Sequence, residues 1–472
     1  MEWKPHPYQT HTLDWLCQRT IFSDEESGAL LLDPGLGKTA IVLAWISMLK
    51  ALKLPSRVLV VAPLRVVYSV WPQEIAKWDQ FKGLTTAIVH GSPAKRVKAV
   101  GAKADLHLIN PEGLVWLESH CNKHGYPFDV LVIDESSKFK SWSAYRTKAL
   151  RRMLDVFERR VIMTGTPSPN SVADLFSQMF LLDKGKALGT GITKFRNRYF
   201  YRGGYQGYQW LPHQGAAAAI EKKIQHLCIR MSAEDHLDLP EMLINDVLID
   251  LPAGVRPEYK RLETQMFAQI DAHGGLLTPA NAGARYMACR QIANGGVYWD
   301  EGVKHLHTAK IDAALDIVDE LQGKPALIAF QFKHDLVRLR RAWPKLPSID
   351  GGTSGRDTER LIQLWNQGEL PVLAVQPQAL SHGVNMQAGP GRDIIWLGLT
   401  DNLENYDQLN KRVHRQGVTG KVRIHRILAR ATVDQAIRLR LRDKDHNQSA
   451  LLNALNQYRK DSPNGSVPHS LV

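Results

Sequence analysis

A chain of 472 residues exceeds what one hydrophobic core usually organises, so two or three domains are expected, and its 44% hydrophobic and 23% charged residues exclude a disordered or fibrous polymer. The 60 Lys and Arg against 47 Asp and Glu leave a net charge of +13, which favours a polyanionic partner. Four scattered cysteines, Cys17, Cys121, Cys228 and Cys289, form no CxxC pair and argue against disulfides or zinc; no apolar run approaches a membrane span or a signal peptide, and a reducing cytoplasm is the expected compartment.

In chain order, short apolar runs alternate with helical stretches, the pattern of parallel sheets covered by helices. The first set of strands is expected at 29–32, 57–62, 106–109, 130–133 and 161–163, and a second set at 326–330, 372–375, 393–397 and 422–427. The stretch from about 171 to 304 carries little strand signal and several helical segments, among them 216–229 and 257–270. The expectation is an α/β protein with an N-terminal lobe at 1–235, helically extended after about 171, and a C-terminal lobe at 236–445 with a helical insertion near 255–304. Residues 446–472, ending in the Ser-, Pro- and Gly-rich DSPNGSVPHSLV, are expected to be a flexible tail.

The chemistry begins where the first strand ends. Gly35-Leu36-Gly37 supplies a turn and Lys38-Thr39 opens an apolar helix, although Leu32 stands where a full phosphate-loop consensus has its first glycine. Backbone N–H groups at such a helix start cradle phosphate, Lys38 reaches the β and γ phosphates, and the Thr39 hydroxyl ligates Mg²⁺. The run 129–133 is a buried strand ending in Asp134-Glu135, where a parallel sheet presents its ligand edge. Asp134 is suited to hold Mg²⁺ and Glu135 to deprotonate the attacking water. Far downstream, Gln408, Arg412 and Arg415 are spaced i, i+4, i+7, which is expected to place all three on one helix face, with Gly417 as a stop signal. An arginine brought to the γ-phosphate contributes on the order of 10³ to 10⁵ in rate, and a site split between lobes would hydrolyse ATP only when they close.

These elements, in this order, resemble the Swi/Snf-like ATPases of helicase superfamily two over nearly the whole chain. DPGLGKT at Asp33 to Thr39, VLVVAPLRVVYSVWPQEIAKW at Val58 to Trp78, DESS at Asp134 to Ser137, TGTP at Thr164 to Pro167 and LDLPE at Leu237 to Glu241 are similar to successive motifs of that family. LIAFQF at Leu327 to Phe332, GGTSGRDTER at Gly351 to Arg360, LSHGVNM at Leu380 to Met386 and QLNKRVHRQG at Gln408 to Gly417 resemble its later ones. Departures are Ser137 for the histidine of DEAH, Asp33 for a glutamate, and Val418 for a glutamine. The resemblance implies two RecA-like lobes, ATP with Mg²⁺ as cofactors, and translocation along double-stranded DNA. It also implies adenine recognition by Gln9 of Pro7-Tyr8-Gln9, and coupling or DNA contact by Pro63, Arg65, Thr164, Thr166, Ser381, Gly383 and Asn385. Compact members of this kind resemble those of bacteria and their viruses. That points to replication, recombination or repair proteins as partners and to the cytoplasm of a bacterial or virus-infected cell. A nucleotide-switched binding subunit without movement, or an RNA helicase, is the alternative.

Other signals stay open. The run 199–210 interleaves aromatics, Arg202 and glycines, and fits a base-stacking loop or a hairpin with a half-buried aromatic face. His305, His307 and His334 have no Cys or acidic partner at ligand spacing. Trp71 and Trp78 lie seven apart, a spacing of core packing.

Overall fold

The alternating apolar runs build two all-parallel sheets in the computed structural model, which describes residues 1–165, 172–203, 209–236, 239–272, 282–299, 302–380, 384–442 and 448–461. The expected Thr166, Ser381 and Gly383, and residues 204–208 of the aromatic run, lie outside these. Two compact units result: residues 1–201 and 210–238 form the first, and residues 202–209 with 239–472 form the second. No described helix is long and apolar enough to cross a membrane.

The first unit contains β1 (Ser27–Leu32), β2 (Val58–Val61), β3 (Thr86–Ile88), β4 (Leu106–Ile109), β5 (Val130–Asp134) and β6 (Arg159–Thr164). The paired strands β7 (Phe200–Gly203) and β8 (Gln209–Pro212) follow, and then β9 (Cys228–Met231). The main sheet has the order β3-β4-β2-β5-β6-β1-β9, all pairs parallel. Its central strands are unbroken apolar runs because helices cover both faces. Successive residues alternate sides, so Ala29, Leu31, Leu59, Val61, Leu131 and Ile133 join one core with Phe176 and Leu182 of the helix Asp174–Asp183. The helix expected over 216–229 stops at Ile224, and Cys228 and Ile229 pair with Ala29 and Leu30 of β1. Tertiary pairing along β1 overrides local helix propensity there. Phe200 is buried in the core and Tyr201 is exposed, so the aromatic run enters its turn with alternating sides.

The second unit contains β10 (Met242–Ile249), the antiparallel hairpin β11 (Gly296–Trp299) and β12 (Gly302–His305), then β13 (Ala326–Ala329), β14 (Ser348–Ile349), β15 (Val372–Val375), β16 (Asp393–Trp396) and β17 (Val422–Ala429). Its sheet has the order β10-β17-β16-β13-β15-β14, again parallel throughout. Leu327, Ala329, Leu373, Val375, Ile394 and Trp396 face one core, and Ala326, Ile328, Val372, Ala374 and Ile395 face the other. The insertion contributes the helices Arg256–Ala272 and Ala284–Asn294, whose Tyr259, Met266, Tyr286 and Ile292 cover the first of these faces.

Two expectations need correction here. The edge strand β10 falls in the stretch where little strand is expected, because Asn245 and Asp246 interrupt its apolar residues. Residues 448–461, expected within a flexible tail, form the helix Gln448–Asp461. Leu451, Ala454, Leu455 and Tyr458 recur at i, i+3, i+4 and i+7 and bury one stripe in the core, and the Tyr458 hydroxyl donates to Glu263 Oε1 at 2.9 Å.

Candidate nucleotide site

Parallel strands deliver their C-terminal ends to one edge, where β1 runs into Asp33, β2 into Ala62 and Pro63, β5 into Asp134 and β6 into Thr164. The loop after β1 is braced from β9: the Asp33 N–H donates to Met231 O at 3.1 Å and the Asp33 carboxylate accepts the Ala233 N–H at 3.2 Å. An acid one carbon shorter than the family's glutamate therefore has a defined structural task. Gly37 caps the helix Lys38–Ala51 with φ 76°, and a Cβ there would meet Gln9 Nε2 at 2.3 Å, so only glycine fits. Gly165 lies so close to Pro34 that a Cβ would meet its Cδ at 2.8 Å, which seats the turn after β6 directly against the phosphate loop.

Gln9 is buried and uses both ends of its amide. Oε1 accepts the His6 N–H at 2.9 Å and Nε2 donates to Leu36 O at 3.1 Å, tying the first helix, Pro7–Thr20, to the phosphate loop. Lys38 Nζ donates to Leu32 O at 2.6 Å and to Asp33 O at 3.1 Å, folded back on its own loop. Thr39 occupies the second position of the helix, half-buried.

At the end of β5, Asp134 Oδ2 accepts the Trp71 indole N–H at 3.0 Å. Desolvation and then the neighbouring charge of Glu135 push the Asp134 carboxyl up to about 6, opposed by the Trp71 hydrogen bond and the charge of Lys38. A desolvated carboxyl beside a second acid is a poor arrangement by itself and a good one around a divalent cation, so the donor set fits Mg²⁺. Glu135 has φ 63° and ψ 60°, a left-handed conformation unfavourable for a residue with a Cβ. Its Oε1 accepts both the Ser137 hydroxyl at 2.7 Å and the Thr164 hydroxyl at 2.8 Å. Ser137, where the family has histidine, thus orients the neighbouring acid, and Ser136 donates to Gln178 Oε1 at 2.7 Å. Pro63 caps the helix Leu64–Tyr68, which carries Arg65.

Among the second unit's expected residues, Gln408 and Arg412 lie on the helix Leu403–Val413. Arg415 does not, contrary to the i, i+7 expectation. His414 leaves the helical region with ψ 84°, its Nε2 lies 2.7 Å from Pro240 O, and Arg415 opens a turn closed by the Val418 N–H on its carbonyl at 3.0 Å. The arginines still meet the expected Asn385 segment: Arg412 Nη1 donates to Val384 O at 3.3 Å and Arg415 Nη1 to the Asn385 side chain. Gln408 is buried and donates to Glu404 at 3.1 Å.

Sequence reasoning missed Trp71 as a partner of Asp134, having assigned it to packing, and missed Arg290. The latter is buried in the insertion, donates to Leu399 O at 3.1 Å and pairs with Asp401 at 3.2 Å, which fixes the loop feeding the helix Leu403–Val413. His334 and His307 line the same region. Nδ1 of His334 lies 3.2 Å from Asp335 and Nε2 of His307 2.8 Å from Ile292 O.

Residues 8–274 match the family model for the SNF2-related domain, and residues 309–417 match that for the helicase conserved C-terminal domain. Protein p41 of Acyrthosiphon pisum secondary endosymbiont phage 1 is 32% identical, covering 96% of this chain and 98% of that one. The uncharacterized ATP-dependent helicase MG018 of Mycoplasma genitalium is 24% identical over 91% of this chain, which spans 40% of that longer protein. The solved SWI2/SNF2 ATPase core of Sulfolobus solfataricus in complex with dsDNA is 20% identical, covers 98% of this chain and 97% of its own, and superposes with a TM-score of 0.46. The chain belongs to the SNF2-related family and is an ATP hydrolase of the helicase type.

Proposed function

We propose that this chain couples ATP hydrolysis to movement along double-stranded DNA. In this reading the N–H groups of Gly35, Leu36 and Gly37 and the helix start hold the phosphates, and Lys38 exchanges its two carbonyl contacts for the β and γ phosphates. Thr39 and Asp134 hold Mg²⁺, which when bound neutralises charge on the phosphates. Glu135, oriented by Ser137 and Thr164, takes the proton of the attacking water, and Gln9 reads the adenine. Gln408, Arg412 and Arg415 of the second unit are assigned to ATP binding and hydrolysis. Pro63, Arg65, Thr164, Thr166, Ser381, Gly383 and Asn385 are assigned to DNA contact and coupling.

The observation that carries this reading is the Asp134-Glu135 pair at the end of β5, within reach of the charge of Lys38 and hydrogen-bonded to Trp71 and Thr164. The DNA half is supported by the net charge of +13 and by the arginines and lysines crowded between 411 and 442. The similarity to a phage protein over nearly the full length of both supports a setting in the cytoplasm of a bacterial or infected cell, where replication, recombination or repair is the process we assign to it.

The test is the ATPase rate against duplex, forked and single-stranded DNA and against RNA, with a triplex-displacement assay for movement. Strong stimulation by duplex DNA together with triplex displacement is expected. Stimulation by RNA alone, or nucleotide-dependent DNA affinity without displacement, would replace the translocase with an RNA helicase or a switch.

A further inference from the structure

Val61 of β2 pairs beside Ile133 of β5, so the chain leaves β2 next to the point where β5 delivers Asp134. It continues into two short helices, Leu64–Tyr68 and Val70–Lys77, joined at Ser69. The joint is tightly bonded. The Ser69 N–H and hydroxyl both donate to the Arg65 carbonyl, at 2.9 and 2.7 Å, and the Ser69 carbonyl accepts the Gln73 N–H at 3.0 Å. At the other end, the Pro63 carbonyl accepts the Val67 N–H at 3.0 Å. Two residues beyond the joint, Trp71 is fully buried and spends its indole N–H on Asp134 Oδ2.

Packing alone does not account for that contact. A buried indole needs an acceptor, but any backbone carbonyl would satisfy it. A carboxylate that accepts a fixed donor loses its rotational freedom, and any displacement of the donor turns it. Hydrogen bonds thus hold the segment around Pro63, Arg65 and Ser69, and the short stretch of backbone from Ser69 to Trp71 joins them to the indole bond on the strand-end acid.

We propose that Trp71 is a positioning residue for Asp134, and that Ser69 and Trp71 make residues 63–77 a lever through which DNA held at Pro63 and Arg65 sets the orientation of the metal-binding carboxylate. The lever rests on the DNA-coupled reading above; the positioning of Asp134 does not.

The test uses the full chain, with Trp71→Phe and Ser69→Ala. The readouts are the Mg²⁺ dependence of binding of a fluorescent ADP analogue and the duplex-DNA stimulation of ATPase. Trp71→Phe is expected to raise the Mg²⁺ concentration for half-saturation by about tenfold, the worth of one hydrogen bond to a charged group, while metal-free ADP binding stays at the wild-type value. Ser69→Ala is expected to keep the wild-type Mg²⁺ dependence but to lose stimulation severalfold. Wild-type Mg²⁺ dependence in a folded Trp71→Phe overturns the positioning role, and wild-type stimulation in Ser69→Ala overturns the lever. Should Phe at 71 abolish the thermal unfolding transition, Ser69→Ala still decides the lever. A wild-type ATPase indifferent to duplex DNA would defeat the DNA-coupled reading itself and the lever with it, leaving the Mg²⁺ measurement to judge Trp71.

Discussion

Glu135 sits in a backbone conformation that costs a side-chain-bearing residue on the order of 1 kcal/mol or more, and two hydroxyls converge on one of its oxygens. Such an expenditure makes sense if the other face of the carboxylate must point at a water. Glu135→Gln keeps the shape and both hydroxyl partners but cannot take a proton. Its ATPase kcat should fall by roughly 10² to 10⁴, with ADP affinity near wild type; comparable kcat in the variant would remove Glu135 from the base role. Thr164→Val deletes one orienting donor only, so a smaller loss, about tenfold in kcat with KM unchanged, is expected from steady-state kinetics. Lys38→Ala differs in kind, since it removes a phosphate ligand. Nucleotide binding measured by fluorescence should weaken together with hydrolysis, and a variant that binds ATP normally would contradict the assignment.

At the scale of elements, the buried network around Asp335 locks the insertion to the second sheet. Its carboxylate accepts Asn294 Nδ2 at 3.0 Å and Arg338 Nη2 at 2.8 Å, and Asn294 in turn accepts the fully buried Lys310 at 2.9 Å. Burial alone would raise the Asp335 carboxyl, but the His334 hydrogen bond and charge, the Arg338 charge and the Phe332 N–H outweigh it and hold the group below its ordinary value of 3.8. A depressed carboxyl contributes stability that is complete above the ordinary value and is lost as pH falls through the lower folded one. Wild-type thermal stability should therefore drop below about pH 4, while Asp335→Asn, already lacking the charge, should be less stable at neutral pH by roughly 3–5 kcal/mol and show a flatter acid limb. Parallel profiles for the two proteins would count against the network. The helix Gln448–Asp461 offers a second check: Leu455→Ala should destabilise by about 2–5 kcal/mol in thermal unfolding, which a flexible tail would not. Elements of this kind mark what the sequence could tell. Central strands were legible because a strand buried on both faces is an unbroken apolar run, whereas β3, β9 and β10 were not, being short or polar-interrupted and defined by the neighbour they pair with. The phosphate loop and Asp134-Glu135 could be read locally; the roles of Trp71 and Arg290 could not, because their partners lie 63 and 109 residues away.

At the scale of the whole molecule, the first unit carries the phosphate loop and the acids assigned to metal and water, while the helix Leu403–Val413 with Arg412, and the turn after it with Arg415, belong to the second. If hydrolysis belonged to the first unit alone, removing those arginines would leave kcat intact. The proposed division of labour predicts the opposite. Arg412→Ala and Arg415→Ala should each retain ATP binding yet lose kcat by on the order of 10³ or more, the worth of an arginine at a γ-phosphate. Arg415 stands past the helix end and bonds to the Asn385 side chain, so its position depends on the segment around 384–386 and not on helical phase. Asn385→Ala should therefore reproduce part of the Arg415→Ala loss in kcat, and the double variant should be no worse than Arg415→Ala alone, a non-additivity that a double-mutant cycle measures directly. DNA affinity separates the two roles. An arginine that contacts a DNA phosphate would, when removed, lower the slope of log K against log salt by about one, whereas an arginine committed to ATP leaves that slope unchanged. An unchanged slope with collapsed kcat is the result expected for Arg412, and a reduced slope with kcat preserved would move it from the nucleotide to the DNA.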